Sequence, residues 1–459
     1  MLWRRAARTH RSALDVEIWG FGGEDACLGL GPRGETGPRF SPPPRFVARF
    51  VRDPNRFPKA DGTREWSGIY NSADMIASQS GVPPQAGVRI SRGKRGFLVL
   101  VGILAAAAVV VGLALGGRLA GPRRPTRPPT IVVLEGTPVE LGREHGARLA
   151  QQIRHLEDRY LGRLLGGESG RATAVEMASD FRPHLRPHHR AELDTLAEAV
   201  GLTPERVLLA NCFLDLLPSV GCSTVALPTA AAPDGVARFG RNLDFPGFGI
   251  ADGRSIVMIV RPAGRHAFVA VTWPGLIGVL SGMNEHGLAL ANMEVRRQPR
   301  MADAMPYPLL YRTVLEECRT VAEAIDLLAR EPRQTANNLM LVDAAGDRAV
   351  VEIRPAGIAV RRAEADAALV ATNHHREDRD EPGRCRRYDC ITTDATAAWG
   401  RIDRDAVWRI LNRVGGDSTL QAMIFEPADR VLHLATGRRA ANLAPVRLDL
   451  RKQLDPTSR

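Results

Sequence analysis

The chain has 459 residues, 44% of them hydrophobic, and a formal net charge of +11, enough for a sizeable core with additions. The basic excess lies in residues 1 to 130, and residues 131 to 459 carry balanced charge. That distribution excludes a nucleic-acid-binding body, whose positive charge would sit on the folded part. Six scattered cysteines establish no disulfide framework.

Residues 1 to 95 combine Pro42-Pro43-Pro44, Pro83-Pro84 and scattered Arg and Gly without a sustained apolar period, the composition of a disordered arm. The same composition leaves Met75 open as an alternative start. Residues 96 to 117 form a run of 22 without a charge. At ~1.5 Å per residue it spans about 33 Å against a hydrocarbon core of roughly 30 Å, which predicts a transmembrane helix. Four basic residues precede it and four arginines follow, so the positive-inside rule is nearly tied. The basic upstream arm favours a cytoplasmic N-terminus, a single membrane pass and an extracytoplasmic folded domain. Residues 118 to 130 read as a stiff Pro/Arg linker.

From 131 to 459 the pattern is that of one folded domain. Ile131 to Leu134 is a short strand, and Gly136-Thr137-Pro138 opens a helix carrying Leu149, Ile153, Leu156 and Leu161 at helical spacing. Helices follow over Pro187 to Val200 and from Pro204 to about Phe213. Strands are predicted at Ser255 to Val260, His266 to Thr272, Gly275 to Gly282 and Leu288 to Val295, separated by turn residues. Pro308 to Ala329 is helical. Leu339 to Asp343 and Ala349 to Ile353 make a hairpin, which Ile358 to Arg362 and Ala368 to Thr372 extend. A helix at Ala406 to Arg413 and strands at Leu420 to Glu426 and Val431 to Ala435 close the chain. Helices grouped around runs of strands predict an α+β layered sandwich.

The chemistry concentrates on Gly221-Cys222-Ser223-Thr224, followed by Gly240-Arg241-Asn242-Leu243-Asp244. The β-favouring run after Cys222 starts a strand at the cysteine, and the turn at Ala232 to Gly235 returns a second strand, bringing Arg241 towards Cys222. Gly221 puts no side chain before the preceding carbonyl. Taken alone, Cys222 also reads as an ordinary buried cysteine.

Five motifs in order change that balance: GTPVELGREHG from Gly136, the Gly221-Cys222-Ser223-Thr224 junction, GRNLDFPG at Gly240 to Gly247, GMNEHGLALAN at Gly282 to Asn292, and TNHH at Thr372 to His375. Together, over roughly residues 131 to 445, they resemble the N-terminal nucleophile (Ntn) hydrolase superfamily, in the branch of penicillin acyltransferase, choloylglycine hydrolase and acid ceramidase. The resemblance implies a four-layer αββα sandwich and a precursor that cuts itself before Cys222, leaving 131–221 as pro-part and 222–459 as the catalytic chain. The freed α-amine, with a pKa near ~7.7 to 8.0, then serves as base for a thiol near ~8.5. It also implies that Arg241 favours the thiolate, that Asp244 orients the Cys222 amine, that Asn292 and Asn373 donate to an oxyanion, and that Arg387 is the late site arginine. Arg384 and Arg386 leave that last assignment open. The implied substrate is a small-molecule N-acyl amide, cleaved at a linear carbon–nitrogen bond through a thioester, with no cofactor and no metal.

Leu276, Ile277 and Val279 beside Trp273-Pro274-Gly275 are candidates for an acyl pocket. His145 reads as a packing or capping residue. His184, His188 and His189 have helical ligand spacing, but Pro183 and Pro187 interrupt them. Cys385 and Cys390 are candidates for a disulfide outside the cytoplasm. Three rival readings share the sequence: an acyltransferase to an amine, a phospholipase-like ester hydrolase, and a catalytically silent membrane-tethered binding domain. Oligomeric state is not legible.

Overall fold

The computed structural model describes residues 126–216, 221–295, 304–377 and 385–455. The arm of residues 1 to 95 and the apolar run 96 to 117 lie outside them; among the described residues no helix is long and apolar enough to cross a membrane. The linker does not end where its composition suggested. Thr126 is already buried, donating its N–H to the Ala444 carbonyl at 3.3 Å.

Fourteen described strands form two sheets. The first runs, in spatial order, β1 (Thr130–Gly136), β4 (Ile256–Pro262), β5 (Phe268–Thr272), β6 (Ser281–Asn284), β7 (Ala289–Glu294), β8 (Asn337–Val342), β9 (Arg348–Arg354) and β10 (Gly357–Arg361). The second runs β11 (Leu369–Ala371), β2 (Gly221–Leu227), β3 (Arg238–Asp244), β12 (Thr419–Glu426), β13 (Val431–Thr436) and β14 (Val446–Asp449). All pairings are antiparallel except β1 with β4.

The sheets face each other, β2 packing on β7 and β8. Nearly every residue of the facing strands is buried, which is why they read as continuous apolar runs.

Helix α1 (Pro138–His155) starts on a capping box in which Thr137 and Glu140 satisfy each other's backbone N–H, with Pro138 at the first helical position. It continues through a π-helical turn, Leu156–Leu161. α2 (Glu168–Ser179), α3 (Pro187–Val200) and α4 (Pro204–Leu216) follow. Gly142 and Gly146 let α1 lie directly on α3: a Cβ on Gly146 would stand 2.4 Å from that of Ala199. α5 (Tyr307–Glu317) and α6 (Val321–Arg330) cover the outer side of the first sheet; α7 (Arg386–Ala397) and α8 (Arg404–Val414) cover the second.

The mixed α+β class agrees with expectation, and four details do not. α2 and α7 had no counterpart in the sequence reading. Gly275 to Leu280 is a loop, its chain direction set by Gly275 at φ +91°. The stretch from Pro308 is two helices, broken where Thr320 caps α6. β11 leaves the β8–β9–β10 meander and pairs with β2 in the other sheet, which places the residues after it beside Cys222.

Candidate active site

Cys222 is the second residue of β2 and 1% exposed. The β2–β3 register sets Gly221 opposite Asp244 and Thr224 opposite Arg241. Cys222 and Thr224 share a face of the strand, so Arg241 reaches the thiol from beside it. Its Nη2 lies 3.6 Å from Cys222 Sγ, while Nη1 donates to the carbonyl of Asn292 on β7 in the facing sheet.

The backbone of Cys222 is held from the other side. β11 pairs only with Thr224 to Ala226, so the ladder stops short of Cys222. Asn373, two residues past β11, takes over: its Oδ1 accepts the Cys222 N–H at 2.8 Å. Arg387, in the first turn of α7, donates from Nη2 to the same Oδ1 at 2.8 Å and from Nη1 to the Cys222 carbonyl at 2.9 Å and Asp244 Oδ2 at 3.1 Å. Thr419 donates to the other Asp244 oxygen at 2.6 Å.

The fold therefore gathers Cys222, Arg241, Asp244, Asn292, Asn373 and Arg387. It selects Arg387 over Arg386, which is exposed; Arg384 lies outside the described residues. Two expected contacts are made differently. Asp244 holds Arg387 and Thr419, and it is Asn373 that holds the Cys222 nitrogen. One N–H of the Asn373 amide donates to the Glu294 carbonyl at 2.8 Å. Asn292 keeps an amide group without a hydrogen-bond partner among the described residues, on the same strand face as Glu294.

Electrostatics set the thiol's state. Burial pushes the Cys222 thiol up; Arg241 and then Arg387 oppose this, while Asp244 and Glu294 add to it. Burial likewise raises the Asp244 carboxyl against the pull of Arg387, Thr419 and Arg241. Gly221 is close-fitting: a Cβ there would be 3.2 Å from the Asp244 carboxylate.

Glu294, Thr419 and Tyr307 escaped the sequence reading. Glu294 was legible in principle, two residues beyond Asn292 on an alternating strand. Thr419 carries no local signal. Tyr307 is buried beside Glu294, Asp215 and Cys222, its hydroxyl without a partner among the described residues, and burial raises its pKa well above the ordinary value.

An apolar cavity of about 50 Å³ adjoins the site, walled by Tyr160, Phe213, Phe245, Trp273, Leu276 and Leu280. Phe245 follows Asp244, and the Leu280 carbonyl accepts the Asn292 N–H at 3.1 Å. Of the expected acyl-pocket residues Leu276 lines it; Ile277 and Val279 are packed into the core. His145 fulfils its expected packing role: its Nε2 accepts the Gly275 N–H at 3.1 Å, fixing the loop that carries Trp273. Burial and the charge of Arg312 bring its pKa down to about 4.

His188 and His189 meet Glu316 at 3.1 and 3.3 Å, whereas His184 lies outside that group. Cys385 and Cys390 are not joined in a disulfide, a correction to that expectation. Cys385 caps α7 and Cys390 sits five residues on, roughly 140° round the helix. Burial opposes ionisation of Cys385, but hydrogen bonds with His374 and Thr372 outweigh it and bring the thiol to about 6.

The site thus combines a buried cysteine at a strand start, an arginine near its sulfur and polar groups on its backbone nitrogen and carbonyl. Residues 231–389 match the family of acyl-coenzyme A:6-aminopenicillanic acid acyl-transferase. The acyl-coenzyme A:6-aminopenicillanic-acid-acyltransferase 40 kDa form of Emericella nidulans is 22% identical over 253 residues, 53% of this chain and 68% of the relative. Protein dcd1A of Dictyostelium discoideum is 23% identical over 237 residues, 44% of this chain; the chain spans only 53% of that relative's length. Among solved structures, the Caenorhabditis elegans N-acylethanolamine-hydrolyzing acid amidase ortholog aligns at 19% identity and a TM-score of 0.39, covering 45% of this chain and 93% of its own. A mutant of the conjugated bile acid hydrolase from Clostridium perfringens aligns at 16% identity and a TM-score of 0.37, covering 50% and 93%. The family match and the acyltransferase relative agree with the resemblance read from the motifs: over this part of the chain the protein is similar to acyl-transferring enzymes.

Proposed function

We propose that the chain is a self-processing cysteine amidohydrolase that cleaves N-acyl amides, built as a four-layer αββα Ntn-hydrolase sandwich and anchored by the apolar run 96 to 117, with the domain outside the cytoplasm. The observation that carries the reading is the held Cys222: sulfur under Arg241, nitrogen on Asn373 and carbonyl on Arg387.

In processing, Cys222 Sγ attacks the Gly221 carbonyl, the Gly221–Cys222 carbon–nitrogen bond breaks, and the acyl group passes to sulfur as a thioester. Water then opens the thioester, leaving a Gly221 carboxylate and a free Cys222 amine. In turnover that amine takes the thiol proton, and sulfur attacks the substrate carbonyl. The amine leaving group departs with the proton, and water releases the acid. Arg241 supports the thiolate, Asn373 and Asp244 orient the amine, and Asn292 donates to the oxyanion. The cavity beside Phe245 and Trp273 suits an apolar acyl group.

Acyl transfer to an amine is the second reading, favoured by the acyl-transferase family match over residues 231–389. Intact mass with N-terminal sequencing of the purified chain, beside Cys222→Ala, tests the proposal. A new chain beginning Cys222-Ser223-Thr224 in the wild type alone is expected. A folded chain uncut in both removes the N-terminal base and leaves the silent binding domain. Product analysis with and without an added amine separates hydrolysis from transfer.

A further inference from the structure

Among the described residues, two groups of histidine and carboxylate donor atoms lie close enough together to hold an ion. In the first, His188, His189 and Glu316, the positive partner is already present. Arg312 donates Nε to Glu316 Oε1 at 2.7 Å, and Arg265 Nη2 lies 3.1 Å from His188 Nδ1. The Glu316 charge is already balanced by these guanidinium groups.

The second, His266, Glu285 and His286, is built differently. His266 Nδ1 lies 3.1 Å from Glu285 Oε1 and 3.0 Å from His286 Nε2, and His286 Nε2 lies 3.5 Å from Glu285 Oε1. Ligands ~2.0–2.1 Å from a tetrahedral zinc are about 3.3 Å from one another, so the three atoms already approximate one face of that polyhedron. Two imidazole nitrogens facing each other at 3.0 Å share one proton at best; a metal would satisfy both lone pairs and the carboxylate together.

The platform is rigid. Glu285 and His286 lie in the β6–β7 turn, whose preceding Asn284 is fully buried. Its Oδ1 accepts from the N–H groups of His286 and Leu288 at 3.1 and 3.0 Å, and its Nδ2 donates to the Leu315 and Cys318 carbonyls at 3.0 and 2.7 Å. Gly287 takes φ +79°, and a Cβ there would meet the Pro427 carbonyl at 2.5 Å. His266 is tied by its N–H to the Glu316 carbonyl at 3.1 Å. Two arginines, Arg319 and Arg430, bear on His286 electrostatically, and Arg430 donates to the Glu285 and Ala428 carbonyls. The side chains of His266, Glu285 and His286 are 18, 12 and 32% exposed, which gives an entry path and a water for the fourth position.

We propose that His266, Glu285 and His286 form a zinc-binding site, with two imidazoles, one carboxylate and water as ligands. Imidazole and carboxylate donors in this geometry suit zinc above magnesium or calcium. The site lies at the opposite end of β7 from Asn292 and is independent of the reaction proposed for Cys222. Bound metal would pin the β6–β7 turn to the start of β5.

The test uses the full chain carrying Cys222→Ala, which removes the nucleophilic thiol as a competing ligand, after chelator treatment and dialysis. Calorimetric titration with zinc chloride is expected to give one site per chain, cobalt(II) to give the visible absorption of a four-coordinate complex, and zinc to raise the melting temperature. His266→Ala and His286→Ala should each weaken binding at least tenfold, and Glu285→Gln, which keeps the side chain's shape, should do likewise. His188→Ala should leave it unchanged. Absence of binding by the folded chain, binding that survives all three substitutions, or loss in His188→Ala instead would overturn the assignment.

Discussion

Arg241 Nη2 stands 3.6 Å from Cys222 Sγ, both side chains buried between the two sheets and brought together by one hairpin. A guanidinium so placed is the main opponent of the burial that keeps the thiol protonated. Arg241→Met therefore removes support for the thiolate. Activity at neutral pH is expected to fall about 10²-fold, with the rising limb of the pH profile moved to higher pH; a fall without that movement would assign Arg241 a packing role only.

Asp244 separates stability from chemistry. Its folded pKa is raised above the unfolded value by burial, so its contribution to stability is full below the unfolded pKa and is lost as pH rises through the folded one. Asp244→Asn is expected to melt no lower than the wild type at pH 8 while processing at Gly221–Cys222 slows. Thermal unfolding at pH 5 and 8, with processing followed on gels, checks both halves.

Asn373 and Asn292 have different duties in this geometry. Asn373→Ala frees the Cys222 nitrogen and should slow self-cleavage itself. Asn292→Ala should allow cleavage and lower kcat by about 10²–10³-fold with KM little changed, the signature of a lost oxyanion donor. Single-turnover processing and steady-state kinetics on the two variants distinguish them.

Acid should destabilise the fold through two buried histidines. His145 and His189 are each brought to about 4 in the folded chain, chiefly by burial, against 6.5 unfolded. A folded pKa below the unfolded one means that stability is complete above pH 6.5 and is lost as pH falls towards 4, on the order of 3 kcal/mol per residue at most. Denaturant midpoints between pH 7 and 4 should fall, and less steeply in His189→Asn.

Cys385, brought to about 6, should stand apart from the other thiols. In Cys222→Ala, iodoacetamide followed by peptide mass mapping is expected to label Cys385 first, at a rate level above pH 7. Cys212 and Cys318, raised by burial, should stay unlabelled in the folded chain.

How much of this was legible varied element by element. α3 was read with both ends because Pro187 starts it and Gly201, at φ +68°, stops it. The Cys222–Arg241–Asp244 relation was legible because a hairpin register is local. α2, with few large apolar residues, carries a faint helical period, and α7 is rich in threonine, a residue of low helix propensity.

By itself the amino-acid sequence determined the local order: where strands and turns fall, that a nucleophile candidate opens a strand, and that its arginine returns one strand later. Only the tertiary structure decided that β11 crosses to the sheet of β2 and brings Asn373 with it, that Arg387 and not Arg386 faces the site, and that Thr419 holds Asp244 from 175 residues away. Periodicity reports which face of an element is buried. Which distant element covers that face depends on the packing of the whole chain, and the partners of a buried polar group are settled there.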